Sequence, residues 1–260
     1  MNVWHDSRLM NALANTLLGA TLLAVLASAA WWLSQRPYFT LRGVAIEAAE
    51  GHPLHHVSAP LLRAAVTRHV RGNFFAVDLD AVRVTFETVP WVRRASVRRV
   101  WPDRLVVRIE EHRAAALWQG DERDDRLVNS QGEVFTANVG DVEDEALPAF
   151  SGPAGQSSTM LALYRALLPV LRAQDMDVEQ LALSTRGSWR VLLDSGATLE
   201  LGRGTEAEVL ARTQRFVRTL PQVFERWRAP LEYADLRHAD GYAVRLRGVT
   251  TTVTAPKPTL

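Results

Sequence analysis

The side chains that could do chemistry in this 260-residue chain are mostly basic and clustered. Arg93, Arg94, Arg98, Arg99, Arg104 and Arg108 all fall in one stretch, Pro90 to Glu111, which reads PWVRRASVRRVWPDRLVVRIEE. Such a density of guanidinium groups can meet anionic headgroups or an acidic partner. The plain alternative is a solvated strand face paired with Glu110 and Glu111, although exposed pairs of this kind contribute only about 0–1 kcal/mol each. His52, His55 and His56 form a small cluster, which would need a further ligand to hold a metal and otherwise reads as a solvated loop. Gly202-Arg203-Gly204 before a helix could cradle an anion. It lacks the third glycine of a dinucleotide loop and the lysine of a phosphate loop, so a strand-to-helix turn is the favoured reading. The acidic loops 121–125 and 141–145 have neither the ligand spacing nor the glycine of a calcium loop. Ser184, Ser188 and Ser195 sit in no nucleophile elbow. With no cysteine, disulfides and thiolate chemistry are excluded. Nothing here supports catalysis, a cofactor or a small-molecule substrate. The net charge of +1 gives no global attraction to nucleic acid.

The basic stretch also has a clear local structure. Leu105, Val107 and Ile109 alternate with Arg108 and Glu110, and Ala95 and Val97 alternate with Arg94, Ser96 and Arg98. That period of two marks two half-buried strands, and Pro102-Asp103 between them is turn chemistry. The predicted hairpin has one apolar and one basic face.

Upstream, no charged side chain occurs from Leu9 to Gln35. About 20 residues rising about 1.5 Å each give about 30 Å, the thickness of a hydrocarbon core. Trp31 and Trp32 sit where an interfacial aromatic belt belongs, and Arg36-Pro37 ends the run. We read residues 13–35 as a transmembrane helix after a tail of residues 1–12. The rival is a cleaved signal peptide, suggested by Ala27-Ser28-Ala29 and opposed by the apolar continuation to Leu33.

Residues 37–113 read as a first small domain. A strand is predicted over Tyr38–Glu47. A helix opening at Ser58 and Pro60 carries Leu62, Ala65, Val66, His69 and Val70 on one face. A second helix is capped by Asp78, with Leu79, Val82, Phe86 and Val89 buried, and the hairpin follows. Residues 114–248 read as a second domain. Strands are expected at Ala114–Trp118, in a hairpin turning at Gln131-Gly132, at Val178–Ser184, Trp189–Leu193 and Thr198–Leu201, then at Leu231–Leu236 and Tyr242–Arg247. One helix is expected around Met160–Ala173, kinked or ended early by Pro169. Another opens at a Thr205/Glu208 capping box. Residues 249–260, rich in Thr and Pro, read as a disordered tail. The fold class is α+β: one membrane helix, a β-α-α-β-β domain, and a mixed α/β domain with a mostly antiparallel sheet.

The Pro90–Glu111 motif resembles the end of the POTRA domain in the FtsQ/DivIB family of bacterial cell-division proteins. Asn73-Phe74-Phe75 with Val77-Asp78, Ser188-Trp189, Leu201-Gly-Arg-Gly204 and Asp235-Leu236-Arg237 also resemble that family. The resemblance implies a single-pass inner-membrane protein, N-terminus cytoplasmic and body periplasmic, acting at the division septum. It implies a non-enzymatic scaffold linking cytoplasmic and periplasmic division proteins. It also implies docking of FtsB, with FtsL, as an added strand on the last strand of the second domain. The positions carried over are Arg237, His238, Asp240, Gly241, Val244, Arg245 and Leu246. His238 and Leu246 stand where the enteric pattern often has tyrosine and tryptophan. Arg94, Arg98 and Arg108 form the second candidate surface, for lipid or protein. Two rivals are a POTRA-bearing component of outer-membrane protein transport and a membrane-tethered periplasmic enzyme.

Overall fold

The computed structural model describes residues 7–34, 36–49, 53–57, 60, 62–64, 73–120, 126–238 and 241–249. The chain divides into two compact units, residues 1–111 and 112–260.

The first unit begins with helix α1, Ser7–Ser34. Its Met10–Ser34 portion has a mean hydropathy of 1.8 and none of it is buried against protein, as expected of a helix solvated by lipid. Hydroxyl groups within it are turned inward: Thr16, Thr21 and Ser34 donate to carbonyls three or four residues back. This satisfies them without water. The helix starts six residues before the predicted span, because Asn11 and Asn15 are tolerated in its first turns where water can reach them.

A 3-10 turn, Pro37–Phe39, follows, and strand β1 runs Gly43–Ala48. The strand was expected from Tyr38. It begins later because its partner, β3, begins at Arg104, opposite Gly43. Helix α2, Leu79–Glu87, is capped as predicted by Asp78, whose carboxylate accepts from the amides of Asp80 (2.9 Å) and Ala81 (3.1 Å). Of the preceding predicted helix, Pro60 and residues 62–64 are helical. Ala65, Val66, His69 and Val70 lie outside the described residues. Strands β2, Val92–Val100, and β3, Arg104–Glu111, form the predicted hairpin. The sheet order is β1-β3-β2, with β1 parallel to β3 and β2 antiparallel to it. Val82, Phe86, Ala95, Leu105, Val107 and Ile109 make the core against this sheet.

Glu111, expected as a partner for surface arginines, is instead buried. Its carboxylate accepts from the backbone amides of His55 (2.6 Å), His56 (2.5 Å) and Val57 (2.9 Å). Three donors on one carboxylate fix the 55–57 loop to the end of β3. Replacing Glu111 with Ala leaves those part-buried amides without their acceptor and is expected to lower stability by about 2–3 kcal/mol, measured by denaturant titration of the full chain. A loss below about 0.5 kcal/mol would show that the loop relaxes to water instead.

The second unit is one nine-stranded sheet under two helices. The strands are β4 (Ala114–Gln119), β5 (Arg126–Asn129), β6 (Val134–Thr136), β7 (Ala149–Ser151), β8 (Val178–Leu183), β9 (Trp189–Leu193), β10 (Thr198–Gly202), β11 (Leu231–Asp235) and β12 (Ala243–Leu246). Their order is β12-β11-β10-β9-β8-β7-β4-β5-β6. Helices α3, Ser157–Arg172, and α4, Glu206–Trp227, pack on the sheet and on each other. Leu167, Leu171, Phe216 and Leu220 from the helices meet Leu181, Val191, Leu193 and Leu199 from the sheet in one core. The opposite face carries polar pairs such as Arg190–Glu200 at 2.6 Å. The Thr205/Glu208 capping box forms with both reciprocal bonds.

Two features of this unit differ from the sequence reading. Strand β7 was missed. It is parallel to both β4 and β8 and joins the two halves of the sheet through Phe150, which is fully buried. A strand of three residues, set between Pro148 and Pro153, is too short to show a period. Pro169 does not end α3 early, since the helix runs on to Arg172. The proline frees one carbonyl, that of Arg165, and Arg165 is exposed, so water can take the bond.

Candidate functional site

Strand β12 is the edge of the large sheet, paired on one side with β11 in antiparallel register: Asp235 opposite Ala243, Ala234 opposite Val244, Tyr233 opposite Arg245. Two hydrogen bonds fix which way its backbone faces. Leu236 N–H donates to the Glu200 carbonyl in β10 (2.9 Å), so Asp235 and Tyr233 point their polar groups toward β12. Arg247 N–H donates to the Pro230 carbonyl (2.9 Å), so Arg245 and Ala243 point theirs toward β11. By alternation, Val244 directs its N–H and C=O away from the sheet, and Leu246 does the same. The Leu246 carbonyl is closed off by Val249 N–H at 3.3 Å. Among the described residues, no strand takes the outer side of Val244.

The side chains of β12 divide by face. Ala243 and Arg245 are exposed, Val244 is half-buried, and Leu246 is 6% exposed, packed into the core. Leu246 is therefore brought to the site by its backbone, with its side chain turned inward. Arg245 stands 4.0 Å from Glu232 and over the ring of Tyr233. An open groove of about 680 Å³ runs beside the strand, lined by Val244, Arg245, Leu246, Glu232 and Trp227, the last an exposed aromatic. Tyr242, just before β12, is held to α4 by its hydroxyl on Thr219 (2.6 Å) and its ring against Phe216 (5.0 Å). Gly241 is half-buried and His238 exposed at the same end of the sheet, while Asp240 lies outside the described residues.

Arg237 makes a two-pronged bond to Asp235, at 2.8 and 2.6 Å, and its backbone N–H adds a third at 3.0 Å. The guanidinium holds the Asp235 carboxyl well below the usual range, at about 2, against the opposing effect of burial. Arg237 is held charged beyond its ordinary value by the same carboxylate. Because the Asp235 pKa is lowered on folding, its contribution to stability is complete above about pH 4 and is lost as pH falls toward about 2. Asp235→Asn should lower the melting temperature at pH 7, and the gap to the parent should close as both are melted at successively lower pH. A gap that stays constant with pH would remove the carboxylate from the explanation.

The other side of Arg237 faces a second concavity of about 450 Å³, shared with Arg186, Arg203, Arg212, Ser184 and Ser188. The Nε of Arg212 is buried there without a hydrogen-bond partner among the described residues, while its Nη2 bonds the Arg203 carbonyl. The sequence reading missed this arginine cluster. Its members come from the β8–β9 turn, the β10–α4 turn, α4 and the β11 exit, and no local spacing betrays them. The Gly202-Arg203-Gly204 signal has a plainer origin. Both glycines have positive φ, and a side chain on Gly204 would meet the Glu208 carboxylate of the capping box at 2.6 Å.

On the first unit, Arg94, Arg98 and Arg108 share the solvent face of the β2–β3 hairpin, all exposed. Glu47 on β1 lies 3.9 Å from both Arg98 and Arg108. Arg93 and Arg99 are diverted from that face. Arg93 pairs with Glu110 at 2.6 Å, and Arg99 donates to the Phe74 and Val77 carbonyls. Of the three clustered histidines, His56 stacks on Trp91 at 4.3 Å, and His52 lies outside the described residues. Loop 121–125 lies outside them too. In the other acidic loop, Asp141 accepts from the Asn138 side chain within a 3-10 turn. Ser188 N–H bonds the Ser184 hydroxyl, closing a turn.

Known proteins match this architecture along its length. The family model "POTRA domain, FtsQ-type" matches residues 51–112, and "Cell division protein FtsQ/DivIB, C-terminal" matches residues 116–237, stopping short of β12. The chain is 42% identical to "Cell division protein FtsQ" of Burkholderia pseudomallei over 95% of its own length and 96% of the relative's. It is 41% identical to the protein of that name from Bordetella pertussis, covering 94% and 93%. For the one from Nitrosospira multiformis the identity is 38%, covering 94% and 99%. With an apolar N-terminal helix, a POTRA unit and a mixed α/β unit in the same order, this chain belongs to the FtsQ/DivIB family of cell division proteins.

Proposed function

We propose that this chain works in the divisome as a binding scaffold without catalytic activity, anchored in the inner membrane by α1. Its N-terminus is cytoplasmic, its two units are periplasmic, and it acts at the septum. It holds FtsB, together with FtsL, by accepting a strand on the outer side of β12. The observation that carries this reading is the outward-facing N–H and C=O of Val244 on an edge that no strand among the described residues covers. An added strand gains main-chain hydrogen bonds there, and neighbouring grooves supply specificity. The groove at Trp227 suits an apolar residue of the incoming chain. The concavity around Arg186, Arg203, Arg212 and Arg237 suits an acidic one, since guanidinium groups recognise carboxylates in pairs of bonds. The basic face of Arg94, Arg98 and Arg108 is a second contact surface, for lipid or another division protein.

The test is capture of a purified FtsB–FtsL pair by the full chain in detergent, with each partner's backbone amides followed by hydrogen exchange. Binding with new protection at 242–246 is expected. Absence of binding at concentrations well above micromolar overturns the reading, and binding with protection elsewhere moves the site.

A further inference from the structure

Three separate segments of the first unit end in one place. The chain leaves α1 at Ser34, turns at Pro37–Phe39 and enters β1 at Gly43. The 73–76 loop is tied to this exit: the Asn73 side-chain amide donates to the Ser34 carbonyl, Asn73 bridges Thr40, and Phe74 N–H donates to the Phe39 carbonyl at 2.8 Å. The tip of the β2–β3 hairpin reaches the same end, because β1 runs parallel to β3 from Gly43 opposite Arg104, and Arg42 N–H donates to the Asp103 carbonyl at 3.0 Å. Arg99 clamps the hairpin to the loop by donating to the Phe74 (2.9 Å) and Val77 (2.7 Å) carbonyls.

Each segment holds a large aromatic ring out in solvent: Tyr38 at 59% exposure, Phe75 at 53% and Trp101 at 68%. Outside α1, the described residues of this unit expose one other large hydrophobic, Val84. Apolar exposure is thus concentrated at the membrane-helix end. Tyr38 and Phe75 are braced edge-on through Phe39, at 5.4 and 5.1 Å, so the rings are held outward. Charged groups surround them. The Arg42 and Arg104 side chains flank Asp103 at 3.8 and 4.0 Å yet are 68% and 72% exposed, and the Arg36 guanidinium lies 3.6 Å over the ring of Trp32, in the last turns of α1.

Exposed aromatic rings interleaved with arginines, directly beyond a membrane-spanning helix, have the composition of a headgroup layer. We propose that this end of the first unit rests in the bilayer interface, with Phe75 and Trp101 inserted among the headgroups and Arg36, Arg42 and Arg104 on anionic lipid phosphates. The unit is then docked on the membrane, at a height set by the Asn73–Ser34 bond. The inference rests on α1 lying in the bilayer.

The absence of cysteine gives a clean test. Single variants Phe75→Cys, Trp101→Cys and Val84→Cys of the full chain carry a nitroxide in vesicles of phosphatidylcholine and phosphatidylglycerol, at large lipid excess. Collision with oxygen, which concentrates in lipid, is compared with collision with a water-soluble nickel chelate. The expected result is a several-fold loss of nickel accessibility at 75 and 101 relative to 84, with oxygen accessibility raised. Water-like values at 75 and 101 in vesicles that still carry the protein on flotation overturn the docking and leave the anchor standing. Failure to float overturns the anchor, and the proposal with it. Protection that grows with protein-to-lipid ratio assigns the patch to self-contact, and overturns the proposal. A labelled variant whose melting departs from the parent's is replaced by Tyr38→Cys.

Discussion

Val244→Pro is expected to weaken capture of FtsB–FtsL about a hundredfold, equivalent to about 2.8 kcal/mol, with the melting of the free protein nearly unchanged. The asymmetry comes from the direction of one amide. Val244 N–H points away from β11, so proline removes no bond of the existing ladder. It does remove the donor an incoming strand needs, and its ring stands in the way of the next backbone, so bonds on both sides of the position are lost. Ala243→Pro is the mirror control. Its amide points toward β11, and that variant should lose stability as well as binding. Arg245→Ala, which trims an exposed side chain and leaves the backbone intact, should cost far less binding than Val244→Pro. Equal binding by parent and Val244→Pro, with both folded by circular dichroism, would remove the edge of β12 from the interface.

What the sequence made legible followed period and punctuation. The β2–β3 hairpin, the Asp78 cap, the Thr205/Glu208 capping box and the placing of β12 at the end of the chain are local signals, and each appears in the structure. Strand order is not local. That β12 lies at an edge depends on β11 running parallel to β10 across the α4 crossover, which no residue in β12 encodes. Orientation within a short strand was equally hidden. Leu246 was legible as part of the site; its side chain turns inward with Val244 while Arg245 faces out, and the bulge in β11 between Leu231 and Tyr233 brings Leu231 opposite it. Charge was the least legible feature. Six arginines and two glutamates in one stretch look alike on paper. Yet Arg99 fastens a loop, Arg93 pairs across the hairpin, and Glu111 collects three amides, leaving Arg94, Arg98 and Arg108 on the solvent face and Arg104 at the hairpin tip. Where the Arg93 and Arg99 side chains go was decided by partners 17 to 25 residues away in the chain.

Phe216→Ala is expected to be the most damaging single change in the second unit, costing about 3–5 kcal/mol and lowering its melting transition by about 10 °C. Phe216 is fully buried in α4, inside the core shared by both helices and the sheet, so the cavity left behind has no route to solvent collapse. It also supports the site. Its ring meets Tyr242 edge-on at 5.0 Å, and Tyr242 leads directly into β12. Losing that contact frees the start of the edge strand, so amide exchange at 242–246 should quicken more than at β8 or β9. Tyr242→Phe separates the two effects. It keeps the ring contact and removes the bond to Thr219, an expected loss of about 1 kcal/mol with little change in exchange along β12. Calorimetry of both variants against the parent decides the matter. A loss below about 1 kcal/mol for Phe216→Ala would mean that the core closes over the gap, and that β12 owes its position to β11 alone.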